Sequence, residues 1–477
     1  MTDYEVVIGL ETHIQLNTTT KIFCACKADS WFDPPNTNIC PVCTGLPGVL
    51  PVLNQAVVEK GVMLAAAMHA NINPVSHFDR KNYFYPDLPK GFQISQFDMP
   101  LARGGYLDVP MPDGTTRRVT IWKLHLEEDA GKTKNEYGQR LIDFNRCGVP
   151  LIEMVTGPDL RSAEEAAQYL TRLRQLLRWI GISEADMEKA HLRCDANVSL
   201  RPKGADYLNP KTEIKNVNSI MAVREAILKE VERQTKEYEA GNRIQAWTLE
   251  WDEDAGVLRK MRSKETEADY RYFREPDLLP IYMTEEWKSA ILSNLPELPL
   301  ERKARFKQVY GLPDYDADIL TSERSLSDYT ESAIQSYGGD PKRVSNWMMN
   351  DVLRMLNDKG LVASQLRLTP AFLAEIIKLV DANSINTSTG KSLLEKVETS
   401  GKAPAEIVQA EGLAKVSDAG AIQAACSEVL AESPDQVAAY KAGKVTLIGW
   451  FVGGVMKKMR GKADPQMAKT ILEELLK

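Results

Sequence analysis

A change in hydrophobic pattern near residue 295 constrains the fold of this 477-residue chain more than any other feature of its sequence. Upstream, segments such as residues 5–16 alternate partly between apolar and polar side chains, which predicts strands. Pro296 and Pro299 then mark a linker, and the apolar residues beyond it recur at helical spacing. The sequence therefore predicts the α+β fold class, with a mixed first domain followed by helical domains.

Capping signals divide the chain further. Residues 162–165 form a capping box that predicts a helix start, and a second helix is predicted to begin after Ser219. A boundary near residues 401–404 separates the helical part into two. We predict three domains, at residues 1–294, 295–403 and 404–477. Pairs of a capping residue and a proline predict helix starts in the second half: Thr369-Pro370, Ser433-Pro434 and Asp464-Pro465.

Four of the seven cysteines form two close pairs within residues 24–43, Cys24 with Cys26 and Cys40 with Cys43. Two pairs separated by a short turn-rich loop suit four thiolates around one tetrahedral Zn²⁺. Such a site keeps no open coordination position, so this zinc would be structural. Four free thiols are the alternative, and a disulfide is the weaker interpretation for a cytosolic chain.

Composition and charge exclude several classes of protein. The longest apolar runs are far too short to span a bilayer, and the N-terminus lacks the pattern of a signal peptide, so we expect a cytoplasmic protein with no membrane segment. The formal net charge is −7. A protein that covers nucleic acid with its whole surface is normally basic, so any RNA contact has to come from local patches.

The sequence has no phosphate-binding P-loop. The segments at 131–133 and 390–392 resemble its end, but each lacks the glycine required five residues earlier. Carboxylates of the first domain offer another way to hold a nucleotide, through Mg²⁺. Glu11 and His13 lie two residues apart on a predicted strand and therefore share a face. For any single acid, a surface residue or a salt-bridge partner is the simpler interpretation.

Several separate blocks of the chain closely resemble the B subunits of the glutamyl/aspartyl-tRNA amidotransferases, and the similarity extends over essentially the whole sequence. The blocks are IGLETH at 8–13, GLPGVLP at 45–51, FDRKNYFYPD at 78–87, QISQF at 93–97, LHLEEDAGK at 124–132, LRCDANVSL at 192–200, KTEIKN at 211–216 and DYRYF at 269–273.

The resemblance implies a mixed cradle domain with an antiparallel sheet, an all-helical tRNA-binding domain and a small helical tail. It implies ATP-dependent amidation of misacylated Glu-tRNA(Gln) or Asp-tRNA(Asn), without deciding between them. It also implies Mg²⁺, and as partners an amidase (A) subunit and a small C subunit in a heterotrimer. The four cysteines occur in only part of the family, so the zinc prediction rests on their spacing in this chain.

Motif matching assigns roles to individual residues. Glu127 could exchange roles with Glu128, since neighbours on a strand face opposite ways, and some of these acids could line the path of ammonia instead of binding metal. The predicted metal ligands are His13, Glu128 and Glu153. The predicted catalytic acids are Glu11, Glu128, Asp195 and Glu213. The predicted nucleotide-binding residues are Lys81, Tyr83 and Lys215.

A basic run at residues 457–462 (KKMRGK) is the candidate RNA contact of the tail. A solvated charge run at a helix end is the alternative. Two other functions also compete with the amidotransferase: a metal-dependent enzyme acting on a small carboxylate without RNA, and a non-catalytic zinc-bearing RNA-binding or assembly subunit. The first would turn over ATP without charged tRNA, and the second would bind tRNA without hydrolysing ATP.

Overall fold

A computed structural model describes residues 3–136, 138–263, 267–414, 419–459 and 463–477. The chain divides into two compact units, Met1–Pro299 and Leu300–Lys477. The α+β prediction is confirmed, because strands with a few helices fill the first unit and helices fill the second. Within the described residues, no helix is long and apolar enough to cross a bilayer.

The first unit is built on strands whose bounds follow in chain order. They are β1 Tyr4–Gln15, β2 Asn71–Ile72, β3 Val75–Ser76, β4 Asp79–Asn82, β5 Phe92–Ser95, β6 Ala102–Arg103, β7 Tyr106–Pro110, β8 Thr116–Glu128, β9 Lys132–Glu136, β10 Gln139–Asp143, β11 Pro150–Thr156, β12 Leu192–Pro202, β13 Thr212–Lys215, β14 Trp247–Asp252, β15 Val257–Ser263, β16 Phe273–Arg274 and β17 Ile281–Tyr282. Its helices are α1 Gln55–Ala67, α2 Ala163–Trp179, α3 Ile220–Glu239 and α4 Glu285–Leu292.

One large sheet organises this unit. Its strand order is β15-β14-β13-β12-β1-β11-β8-β6-β2, with β7 also paired to β8. Neighbours along this path are antiparallel except β13 and β14, which are parallel. Strand β1 lies at the centre between β11 and β12, both of which are distant in sequence. The strand that carries Glu11 and His13 is therefore flanked on both sides.

The two faces of β1 have different roles. Its even-numbered residues Ile8, Leu10 and Ile14 are fully buried in one hydrophobic core with leucines of α2. Because strand side chains alternate, burying the even residues turns Glu11 and His13 to the opposite face.

The predicted starts of both long helices are confirmed. The Ser162 side chain accepts a hydrogen bond from the amide of Glu165, and the Ser219 side chain accepts one from the amide of Ala222.

The second unit is helical. Its helices are α5 Pro299–Tyr310, α6 Asp314–Leu320, α7 Arg324–Tyr337, α8 Pro341–Trp347, α9 Leu353–Lys359, α10 Pro370–Asp381, α11 Thr387–Ser400, α12 Pro404–Ala410, α13 Ala419–Ala431, α14 Pro434–Lys441, α15 Ile448–Lys458 and α16 Pro465–Leu475, and a π-helical turn, Met348–Val352, joins α8 to α9. The three predicted proline helix starts are confirmed at α10, α14 and α16.

The described residues of this second unit form two hydrophobic cores. One extends through α12, because Ile407 and Val408 pack with the preceding helices. The other begins with Ile422 and includes Phe451 and Leu472. The predicted tail domain starts at residue 404 and would include α12, whereas the change of core lies beyond Val408. The reason is that helix α12 begins with a proline in its first turn but has its apolar face on the earlier core.

Candidate active site

A cavity of about 720 Å³ opens over the sheet face that carries Glu11 and His13. Its floor consists of side chains from β1, β8, β11, β12 and β13, and its opposite wall comes from the segments around Lys81 and Tyr270. The cavity is large enough to take a nucleotide together with part of a second substrate.

Strand register brings the charged floor together. His13 of β1 lies directly opposite Glu153 of β11 on one side and Arg193 of β12 on the other. Glu153 in turn lies opposite His125 of β8. Directly opposed residues on one face of an antiparallel sheet have side chains in contact range. A row of ionisable side chains, Arg193–His13–Glu153–His125, therefore crosses four strands.

The acids converge on the two imidazoles. His13 Nε2 lies 3.5 Å from Glu153 Oε2, 3.6 Å from Glu127 Oε1 and 3.9 Å from Glu11 Oε1. His125 Nε2 lies 3.4 Å from Glu153 Oε2 and 3.6 Å from Glu127 Oε2. Glu127, Glu153 and His125 are buried. Three carboxylates thus share one poorly solvated space with two imidazoles.

This proximity shifts the protonation of every member. Burial opposes the charged form of His13, but the carboxylates of Glu153 and Glu127 outweigh it and raise its pKa to about 9. The pKa of Glu153 lies well below its ordinary value, because the two imidazoles outweigh burial. Burial and the nearby Glu153 charge instead raise the pKa of Glu11. In the absence of metal, the cluster therefore favours imidazolium cations among carboxylates.

The same groups fit a hard divalent cation. One ligand atom from each of His13, Glu127 and Glu153 can lie within 4.8 Å of the others, and the same holds for Glu11, His13 and Asp195. Oxygen-rich clusters with excess negative charge are what Mg²⁺ prefers. A bound cation would replace the protons that now balance these carboxylates.

The structure does not place Glu128 beside His13, with which it was predicted to share a metal. Glu128 points to the other side of β8, where it accepts a hydrogen bond from the Ile94 amide at 2.9 Å and forms an ion pair with Lys90. Glu127 occupies the place beside His13 instead. The two neighbours face opposite ways, and pairing of β8 with β11 selects which of them faces the cavity.

The three residues predicted to bind the nucleotide lie in two different parts of the cavity. Lys81 and Tyr83 line the wall opposite the acids. The Lys81 Nζ lies 4.8 Å from the centre of the Tyr270 ring, and the Tyr83 hydroxyl donates to Gln93 at 3.0 Å. Burial opposes the Lys81 charge, yet Glu153 and Glu127 raise its pKa above the ordinary range. Lys81 is therefore a charged group facing the acid cluster.

Lys215 lies at the β13 edge of the floor, away from Lys81. It forms an ion pair with Asp195, and its Nζ lies 3.8 Å from Glu213 Oε1. The Thr248 hydroxyl donates to Glu213 at 3.2 Å. The predicted residues Asp195, Glu213 and Lys215 thus form one group, and Asp195 connects it to Glu11 through direct cross-strand pairing.

Several residues of this cavity were assigned no role from the sequence, among them His125, Arg193, Tyr270 and Tyr272. The signal for His125 was present, because it lies two residues before Glu127 and must share its face. Arg193 carried no such local signal. Its role depends on the register of β12 against β1, which also brings its guanidinium to 3.0 Å from Asp129.

In Mg²⁺-free buffer, we expect the His13 imidazole to lose its proton near pH 9. The pKa of His13 in the folded protein exceeds the unfolded value of about 6.5. The stability that protonated His13 contributes to the fold is therefore fully present below pH 6.5 and is lost as the pH rises through about 9. NMR of the His13 Cε1–H group, assigned with His13→Gln, measures the midpoint. Glu153→Gln should lower it, and a wild-type midpoint at or below 6.5 would contradict the geometry.

The four clustered cysteines come together as their spacing predicts. One sulfur from each of Cys24, Cys26, Cys40 and Cys43 lies within 4.8 Å of the others. Hydrogen bonds from the Cys24 thiol and the Cys40 amide, aided by the Lys21 charge, outweigh burial and lower the pKa of Cys43 to about 4. The pKa of Cys26 rises to about 11, with burial as the main cause. A cation is needed before all four sulfurs can ionise together, so the donor set fits a tetrahedral metal.

Comparisons with known proteins cover nearly the whole chain. Residues 6–289 match the family described as the GatB/GatE catalytic domain, and residues 328–476 match the family described as the GatB domain. The chain is 47% identical over 475 residues to the B subunit of the aspartyl/glutamyl-tRNA(Asn/Gln) amidotransferase of Thermodesulfovibrio yellowstonii, covering 99% of both chains. It is 46% identical over 475 residues to the protein of the same description from Persephonella marina, covering 100% of both.

Proposed function

Because this chain belongs to the family of aspartyl/glutamyl-tRNA(Asn/Gln) amidotransferase B subunits, we propose that the cavity over its large sheet is the amidation site. The chain is one subunit of a ligase that amidates misacylated Glu-tRNA(Gln) and Asp-tRNA(Asn), an activity that implies ATP and Mg²⁺. The observation that carries the proposal is the convergence of three carboxylates on His13 inside a cavity of about 720 Å³.

The reaction has two steps. A side-chain carboxylate oxygen of the tRNA-bound amino acid bonds to the γ-phosphorus of ATP, the bond from that phosphorus to its bridging oxygen breaks, and ADP leaves. Ammonia then attacks the acyl carbon, inorganic phosphate leaves, and a proton passes from nitrogen to a base. Neither step requires a protein nucleophile, so the work of the protein is positioning and charge neutralisation.

We assign the metal to Glu127, Glu153 and His13, with Glu11 and Asp195 beside them. Mg²⁺ bound there would neutralise phosphate charge. Glu127 replaces Glu128 in this assignment because only Glu127 faces the cavity. The raised pKa of Glu11 suits it to accept the proton that ammonia loses.

Lys81 is the better of the two predicted lysines for the nucleotide phosphates. In the described part of the chain, no carboxylate oxygen lies within 4.0 Å of its Nζ, whereas Lys215 already has Asp195 and Glu213. The rings of Tyr83 and Tyr270 beside it offer aromatic faces for a base. Lys215 would instead hold its two acids in place at the far edge of the cavity.

We propose that the four-cysteine cluster binds one structural Zn²⁺. The supporting observations are the mutual approach of the four sulfurs and the Cys40 amide, which donates to Cys43 Sγ at 3.2 Å. Backbone amides that donate to cysteine sulfur stabilise the thiolate form that a metal requires. We further propose that the chain works with an amidase subunit and a small third subunit in a heterotrimer, and that it acts in the cytoplasm.

One lysine of the basic run predicted to contact RNA is paired with acids of the tail. Lys458 lies 2.7 Å from Glu428 and 2.6 Å from Glu432, so its charge is balanced by α13 and the following turn. Residues 460–462 of the run lie outside the described residues. Lys457 is exposed at the end of α15 and remains a candidate contact for tRNA phosphates.

Supplying Glu-tRNA, Mg-ATP and ammonium chloride to the chain co-expressed with its two partner subunits tests the function. Ammonium bypasses the amidase, so only the synthetase half is measured. We expect ADP and Gln-tRNA in equal amounts, with ADP formation dependent on the misacylated tRNA. ATP turnover without charged tRNA would favour the small-carboxylate enzyme, and tRNA binding without ADP formation from Glu-tRNA or Asp-tRNA would favour the assembly subunit.

A further inference from the structure

The side chain of Lys21 is completely buried beside the four-cysteine cluster. No other lysine in the described ranges is buried to this degree. Burying an ammonium ion without a partner is costly, so buried lysines are normally paired with an acid. Lys21 has no such acid: among the residues that the structure describes, no carboxylate oxygen lies within 4.0 Å of its Nζ.

The partners of Lys21 are an amide oxygen and a sulfur. Its Nζ donates to the Asn38 carbonyl at 2.9 Å and to Cys43 Sγ at 3.6 Å. The carbonyl is neutral, so the sulfur is the one partner able to carry a negative charge. The burial of this lysine is therefore explained when Cys43 is a thiolate, as it is in a metal–cysteine complex.

The lysine stem packs close to Gly148. This glycine has φ of +79°, which favours glycine, and a Cβ there would lie in ordinary van der Waals contact, 3.4 Å from Cys43 Cβ and 3.6 Å from Lys21 Cδ. The Lys21 amide also donates to the Cys26 carbonyl at 2.9 Å, which ties its backbone to the first cysteine pair. The stem is thus enclosed between the two pairs, and the ammonium cannot turn to solvent without opening the cluster.

Charge balance gives the lysine a function. Four thiolates around a divalent cation carry a net charge of −2, and placing that charge in a protein interior is unfavourable. We propose that Lys21 is an integral part of the metal site, a positioning residue whose ammonium offsets one thiolate charge and slows release of the metal. This inference rests on the proposed zinc site. It adds a fifth residue, outside the ligand set, that determines how tightly the metal is held.

The test uses the full chain purified from zinc-supplemented medium, with three variants. Lys21→Met removes the charge and keeps the stem, and Lys21→Gln removes the charge but keeps a donor. Lys27→Met is the matched control, because Lys27 follows Cys26 in the same loop but is exposed and pairs with Asp33. Zinc content is measured by elemental analysis, and zinc release by transfer to a chromogenic chelator at fixed pH. We expect both Lys21 variants to release zinc about 10- to 100-fold faster than wild type, and Lys27→Met to match wild type.

A second readout separates this role from simple packing. In zinc-loaded protein, Lys21→Met should lower the melting temperature relative to wild type. In zinc-stripped protein the difference should be smaller, because the ammonium then balances at most the single Cys43 thiolate instead of a complex with a net charge of −2. Equal losses in both states, or zinc release at the wild-type rate, would overturn the inference for Lys21 alone. A wild-type chain that holds no zinc would instead overturn the zinc proposal together with it.

Discussion

Replacing Glu127 with glutamine is expected to lower tRNA-dependent ADP formation by about 10²- to 10³-fold, the usual cost of removing one group that stabilises developing charge. Glu127 is buried and its carboxylate approaches both His13 and His125, so the substitution removes an anion at the centre of the cluster. The remaining activity should require more Mg²⁺. The measurement is ADP formation with Glu-tRNA and ammonium chloride over a Mg²⁺ titration, with tRNA binding followed separately.

Two other variants test whether the effect is specific to Glu127. Glu136→Gln serves as the matched control, because Glu136 is an exposed acid of β9 that pairs only with Lys134 in the described contacts, at 3.8 Å. Glu128→Gln tests the neighbouring acid. It should lower stability, because Lys90 is left largely buried without its anion, and its residual activity should keep the wild-type Mg²⁺ requirement. If Glu128→Gln shifts the Mg²⁺ requirement and Glu127→Gln does not, the metal assignment is reversed.

Truncation of Glu230 to alanine is expected to lower the free energy of unfolding of the first unit by about 3 kcal/mol, near the lower end for breaking a buried ion pair. Glu230 is fully buried on α3. It accepts from the Thr212 hydroxyl at 2.6 Å, from Gln234 at 2.7 Å and from Arg233 through two hydrogen bonds. Arg233 is partly exposed and regains some hydration in the variant, which is why the larger values of the range are not expected.

The matched control for this stability prediction lies on the same helix. Glu232 is exposed and pairs with Lys236 four residues later, so Glu232→Ala should leave the free energy of unfolding close to the wild-type value. Urea denaturation followed by tryptophan fluorescence compares the two variants with wild type. Equal losses for both would show that the buried network contributes nothing beyond a surface pair. Thr212 begins β13, the strand of Glu213 and Lys215, so Glu230→Ala should also reduce activity.

The local features of this protein could be predicted from the sequence because each depends on near neighbours. Side-chain alternation placed Glu11 and His13 on one face, and the structure brings their charged atoms to 3.9 Å. Capping residues marked the starts of α2, α3 and α10, since a cap satisfies backbone amides only two or three residues away. The cysteine spacing predicted the approach of four sulfurs for the same reason.

The tertiary structure decided which of two equivalent neighbours faces the cavity. Alternation requires Glu127 and Glu128 to point opposite ways, but it does not say which side of β8 the cavity lies on. Pairing of β8 with β11, and of β11 with β1, settles that choice and sets Glu153 opposite His13. The strands are joined through long stretches of chain, so their register depends on packing of the whole core, which a local pattern does not contain.

Burial is the other property that the sequence left open. Lysine is usually a surface residue. Only the folding of the cysteine loop around Lys21 removes its ammonium from water. The sequence likewise did not show on which core helix α12 packs, because Pro404 marks a helix start whereas the packing depends on the contacts of Ile407 and Val408. Sequence thus determined where elements begin, which side chains share a face and which chemistry is available. Tertiary packing determined which charges meet, since non-local contacts alone fix the distances between strands and the access of water to each group.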